Sequence, residues 1–184
     1  MRTYTDRFGP VAMTLHWCIA LLVLCAVVLG LVRESMDRGM ARDTVFALHK
    51  SIGLLILALT CFRLGWRVTH PAPPLPPEMG RLQRFAAWAT HSLLYVMMFA
   101  QPITGYLAEA ARGRNVIVFW LLTVPHLGPI DRQFSRLMEE VHNLSQYALY
   151  ALLVAHIGAA LYHRFILRDR ILARMWPFGT APTQ

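Results

Sequence analysis

Charge is scarce in this chain. Of its 184 residues 15% are Asp, Glu, Lys or Arg and 56% are hydrophobic, with a mean hydropathy of +0.42. That leaves too little polar surface for a soluble domain of this length. Lysine is nearly missing: Lys50 stands alone among eighteen basic residues, the rest being arginine. The formal charge of +8 does not indicate a nucleic-acid partner, because the arginines gather beside apolar segments rather than along a solvated face. Contact with lipid headgroups accounts for them. The three cysteines, Cys18, Cys25 and Cys61, all fall in apolar runs, where they read as small packing residues. They imply no disulfide framework and do not fix a redox compartment.

What is plentiful is long apolar runs. Four windows reach the roughly 20 residues needed to cross a bilayer: about 11–32, 45–66, 85–108 and 141–167. The expected fold is all-α, a single integral membrane four-helix domain over 1–184. Arg2 and Arg7 before the first run resemble the start of a secretory signal. A histidine interrupts that run and no small-x-small cleavage site follows Gly30, so the segment is expected to be retained.

Four spans put both termini on one side. That side carries ten Lys and Arg near span ends and the other carries eight, which favours cytoplasmic termini. The run from His70 to Pro77 holds five prolines and reads as a stiff connector. Val116 to Val124 is apolar but too short to span, so an interfacial or re-entrant segment, able to form a lid over the outer end, is expected before Pro125. Pro102 is expected to bend the third helix.

Histidines inside these runs are costly in hydrocarbon and therefore functional candidates. His16 lies near the inner end of the first span and His49 near the outer end of the second. On the fourth span His142 lies near the outer surface, and His156 is fourteen residues, about 21 Å, deeper. Fourteen residues at 100° each return to within about 40° of the start, so both rings share one stripe. His49 then matches His142 in depth, and His16 matches His156.

Two imidazoles on separate helices suit haem iron, which needs two axial ligands because the porphyrin supplies four. Zinc would need four ligands, and no Cys or acid completes either level. Two bis-histidine b-type haems is the simplest complete count. The nine methionines, including Met97 and Met98, read as packing residues, with a methionine ligand as a secondary option. Small residues around Ala151 to Ala160 and Gly53 would admit a flat macrocycle or ordinary close helix packing.

The runs Leu15-His-Trp17, His49-Lys-Ser-Ile-Gly-Leu54, Phe62-Arg-Leu-Gly-Trp-Arg67 with Thr69-His-Pro-Ala-Pro-Pro-Leu75, Pro102-Ile-Thr-Gly105 and Ala160-Leu-Tyr-His163 resemble the bacterial cytochrome b561 family. The resemblance covers nearly the whole chain. It implies a dihaem inner-membrane protein with axial ligands on helices one, two and four, which maps onto His16, His49, His142 and His156. It also implies electron transfer between a donor or acceptor at the outer face and the ubiquinone pool. Some members are superoxide:ubiquinone oxidoreductases, and related subunits serve hydrogenases and formate dehydrogenases.

On that basis the expected partners are membrane lipid, ubiquinone and a small periplasmic electron donor, superoxide being the candidate, or a periplasmic redox protein. Lys50, Arg112 and Arg114 are candidates for steering an anionic donor, or else anchor the span ends. Arg63 is a candidate for a haem propionate or a headgroup. His163, seven residues beyond His156, is a candidate for quinone contact, with an interfacial role or replacement of His156 as the alternatives. His91 stays open, and His70 and His126 have loop readings only. The rival function is a haem-bearing anchor or relay subunit for a periplasmic redox enzyme; a non-haem transporter is the more distant reading.

Overall fold

A computed structural model describes residues 7–75 and 79–176. Pro76 and Pro77 of the expected connector, and Arg2, lie outside the described residues. Four long helices run up and down: α1 (Pro10–Ser35), α2 (Met40–Thr69), α3 (Arg81–Ala110) and α4 (Arg132–Tyr162). The end holding the start of α1, the α2–α3 connector and the end of α4 is called the terminal end below, and the opposite one the hairpin end.

α1 begins with proline at its first helical position, where the missing N–H would have been unpaired anyway. At 1.5 Å per residue its 26 residues extend about 39 Å, more than the hydrocarbon core of a bilayer. Its outward positions are as apolar as its inward ones: Leu21, Leu24, Val28 and Leu31 are exposed. A helix apolar all round belongs in lipid.

α1, α2 and the helical stretch Arg132–Leu167 are long and apolar enough to cross a membrane. α3 is equally long but falls short in apolarity, a departure from the four equal spans expected. His91, Gln101 and Pro102 dilute it. It runs uninterrupted through Pro102 and packs against both α2 and α4.

Local chemistry fixes the helix ends. Asp131 Oδ1 accepts the amides of Gln133 and Phe134 at 2.9 Å, capping α4. The Asp131 amide donates to Ala111 O, tying the start of α4 to the end of α3. The expected interfacial segment is a β-hairpin, Val116–Val118 paired antiparallel with Leu122–Val124. Of the three loop residues between Val118 and Leu122, Phe119 and Trp120 both have positive φ, 48° and 59°, a conformation that bulky residues resist. Ser51 of α2, fully buried, holds the turn by accepting the Phe119 amide at 2.9 Å while donating to Ala47 O.

The buried apolar cluster is small. Ile19 and Val23 of α1 meet Ile56 of α2, with Met98 of α3 and Leu153 of α4 packed against them. In sequence each of these lies between the two histidine depths. The cluster is thus a plug at mid-height, with polar side chains gathered above and below it.

Candidate functional site

Toward the hairpin end, His49 of α2 and His142 of α4 face each other with ring centroids 6.3 Å apart and planes at 80°. Toward the terminal end, His16 of α1 and His156 of α4 stand 6.1 Å apart at 77°. Fourteen residues on α4 separate the two levels, as the helical period requires.

The spacing can be tested against a ligand. A metal–imidazole nitrogen bond is about 2.0–2.1 Å, and the centre of a five-membered ring with bonds near 1.33 Å lies about 1.1 Å from each atom. Two imidazoles gripping one iron from opposite sides therefore have centroids about 6.2–6.4 Å apart. Both pairs fall within about 0.1 Å of that range.

Orientation at the hairpin-end pair is also set. His49 Nδ1 donates to Ala26 O and His142 Nδ1 donates to Gln101 O, each at 2.9 Å. A ring whose Nδ1 holds the proton has its Nε2 lone pair available for a metal, and the carbonyl fixes the ring's rotation. Gln101 strengthens this bracket, since its side-chain amide donates to Ser145 Oγ at 2.7 Å and to His142 O at 3.3 Å. Glycines make the room. A Cβ at Gly105 would lie 3.2 Å from His142 Cε1, and one at Gly30 would lie 3.5 Å from His49 Cε1. Gly30, Gly53, Gly105 and Ala26, with Met97 and Met98, line a cleft that reaches all four helices and opens past Arg33, Lys50 and Arg112.

The terminal-end pair is packed by rings. Trp17 stands edge-on to His16 at 5.3 Å, and His91 of α3 stands edge-on to His156 at 5.2 Å. The latter spacing is about 1 Å too short for an iron between the rings, so His91 is a neighbour of the pair rather than an alternative half of it. Its Nδ1 donates to Ala87 O at 2.6 Å. Trp17 is tethered in turn: its Nε1 donates to Met175 O at 2.7 Å, and its ring meets Trp176. Arg174 reaches Pro74 O, so the C-terminal turn clasps the α2–α3 connector as well.

Arg63 follows His49 by fourteen residues, which puts it on α2 at the terminal-end level, with its guanidinium 5.6 Å from the Tyr95 ring centre. Among the described residues the Tyr95 hydroxyl and Thr60 Oγ1 are buried without a hydrogen-bond partner. Buried polar atoms of this kind call for a water or ligand. His163 ends α4, its backbone N–H still donating to Ala159 O. It opens a π-helical turn, His163–Leu167, and its Nδ1 pairs with Asp169. The wider turn and the left-handed Arg168 carry the chain away from the helix axis.

Lys50, Arg112 and Arg114 converge on one residue absent from the expected set, Glu109. Lys50 Nζ lies 2.9 Å from Oε2, while Arg112 and Arg114 lie 3.2 and 3.6 Å from Oε1. Arg112 also pairs with Glu139. Burial pushes the Glu109 carboxyl up, but the hydrogen bond and charge of Lys50, with Arg114 and Arg112 behind it, outweigh burial and hold it below the usual carboxylate range. The i, i+3 spacing of Glu109 and Arg112 was the available sequence signal.

The donor set and its spacing fit two haems with bis-histidine ligation. Among the described residues no group of three or more His, Cys, Asp or Glu is arranged to hold a bare metal ion.

Comparison with known proteins is consistent along the whole chain. The family model described as prokaryotic cytochrome b561 matches residues 7–178. The chain is 34% identical over 172 residues to cytochrome b561 homolog 2 of Escherichia coli strain K12, covering 92% of this chain and 91% of that protein. It is 28% identical over 171 residues to a Yersinia pestis protein named probable superoxide oxidase CybB, covering 93% and 96%. A cytochrome b562 of Cereibacter sphaeroides is 30% identical over 181 residues, covering 94% and 97%.

Proposed function

Because the chain belongs to the prokaryotic cytochrome b561 family, we propose that it moves electrons across the bacterial inner membrane between a periplasmic donor, superoxide being the candidate, and ubiquinone. Membership itself carries b-type haem, electron transport and a membrane location. The finer reading places one haem between His49 and His142 and a second between His16 and His156. It makes all four helices spans of one domain, with both termini cytoplasmic. The observation that carries it is the matched centroid spacing of the two pairs, 6.3 and 6.1 Å.

Held by His16, His49, His142 and His156, haem would supply one-electron carriers for transfer between the two levels. The chain's own residues do the rest. Ala26 O and Gln101 O hold the hairpin-end imidazoles in one tautomer, and the Ile19–Val23–Ile56 plug keeps water from the space between the levels. Arg63 is placed to pair with an acidic side group of the terminal-end haem. His163, oriented by Asp169, can donate a hydrogen bond and a proton to a reduced quinone at the cytoplasmic surface. The name of the Yersinia pestis relative supports superoxide as the donor.

The test is stopped-flow mixing of superoxide with purified, haem-loaded protein, followed by added ubiquinone. Rapid reduction of the haem bands and quinol formation are expected without a partner protein. Bands reducible by dithionite yet inert to superoxide would favour the relay-subunit reading.

A further inference from the structure

Glu109 closes α3 at the hairpin end with its side chain 4% exposed, and a carboxylate that deep is held only by cations brought to it. Three come, from two places: Lys50 from α2, and Arg112 and Arg114 from the turn after α3. Lys50 is fixed from a second direction, since its Nζ lies 4.4 Å from the centre of the Phe46 ring, which Arg33 also covers at 3.8 Å. Phe46, Lys50 and Glu109 line both the cleft of His49 and His142 and a solvent-open depression bounded by Asp43, Arg114 and Asn115. The ion pair is therefore the partition between that cleft and the outer surface. Around the cleft and the depression, Arg33, Lys50, Arg112 and Arg114 are matched in number by Glu34, Asp43, Glu109 and Glu139.

We propose that Glu109 is a positioning residue for the hairpin-end haem: it pins Lys50 and Arg112 at the cleft mouth, where they can meet the acidic groups of a porphyrin, and its buried negative charge lowers that haem's reduction potential. The proposal rests on the reading of His49 and His142 as an axial pair. A charge held in a poorly solvated site acts on a neighbouring redox centre with little screening. Removing the carboxylate stabilises the electron on iron less poorly, and removing the ammonium does the opposite.

The experiment is a spectroelectrochemical redox titration of the haem-loaded protein in detergent, with haem counted by pyridine haemochrome. Glu109→Gln is expected to raise one of two midpoints by about tenfold in the reduction equilibrium, about 59 mV for one electron. Lys50→Met is expected to lower the same midpoint, and the double variant to return toward wild type. A merely structural role would not give shifts of opposite sign. Full haem content with unmoved midpoints, or shifts in the same direction, overturns the proposal. If Glu109→Gln does not take up haem, Lys50→Met alone decides: a fall supports the proposal, and no change or a rise overturns it. Two haems retained after His49→Ala would instead sink the axial-pair reading, and the proposal with it.

Discussion

His142 and Gln101 grip each other at both ends of their residues. The imidazole donates to the Gln101 carbonyl at 2.9 Å, while the Gln101 side chain returns a bond to the His142 carbonyl at 3.3 Å. The ring is therefore fixed by α3 as much as by the helix that carries it, and α3 leaves no slack beside it.

Gly105 shows how little. A methyl there would sit 3.2 Å from His142 Cε1 and 3.3 Å from Nδ1, so the ring or the helix must shift by a few tenths of an ångström. Gly105→Ala is expected to distort the hairpin-end ligand field, although alanine is worth about 1 kcal/mol more than glycine in a helix. Low-temperature EPR of the oxidised protein should show one of two low-spin signals displaced. Gly30→Ala, at an ordinary contact of 3.5 Å from His49, should displace it far less.

The hairpin depends on one hydroxyl. Ser51→Ala removes the acceptor of the Phe119 amide from a fully buried position, and an unmet buried donor costs about 1–3 kcal/mol. Because Phe119 and Trp120 already hold unfavourable backbone angles, the loss should appear first as local opening. Hydrogen exchange over 116–124 should accelerate by about 5-fold to 150-fold, the range that such energies set. Unchanged exchange would mean that Ser51 does not hold the turn.

Glu109 gives stability a pH dependence of known sign. Its folded-state value is depressed, so its contribution is complete above the ordinary carboxylate value and is lost as pH falls through the depressed one. The thermal midpoint of the wild type should drop through the acid range with a steeper slope than that of Glu109→Gln. Parallel slopes would remove Glu109 as the cause.

Depth and helical phase made the two histidine levels legible in the sequence, since both follow from counting residues along helices. The environment of those levels was not legible. Glu109 is one of seven acids near the hairpin end, and what singles it out is the meeting of α2, α3 and the following turn, which no periodicity encodes. The hairpin lacked the Asn or Gly that usually marks such a turn, so Val116 to Val124 read only as apolar and short. For His163, counting placed the residue at the end of α4, but the π-helical turn that follows and the pairing with Asp169 have no periodic signal in the sequence. His91 stayed open in sequence because its relation to His156 depends on how α3 packs against α4.

Each level holding one haem is the claim on which the rest stands, and counting haem per chain in purified protein tests it most directly. The account expects two for the wild type, one after alanine replaces either His49 or His142, and one after alanine replaces either His16 or His156, with a different spectral component lost in each set. Colourless wild-type protein produced with ample haem supply, or two haems per chain in any of these variants, would contradict it.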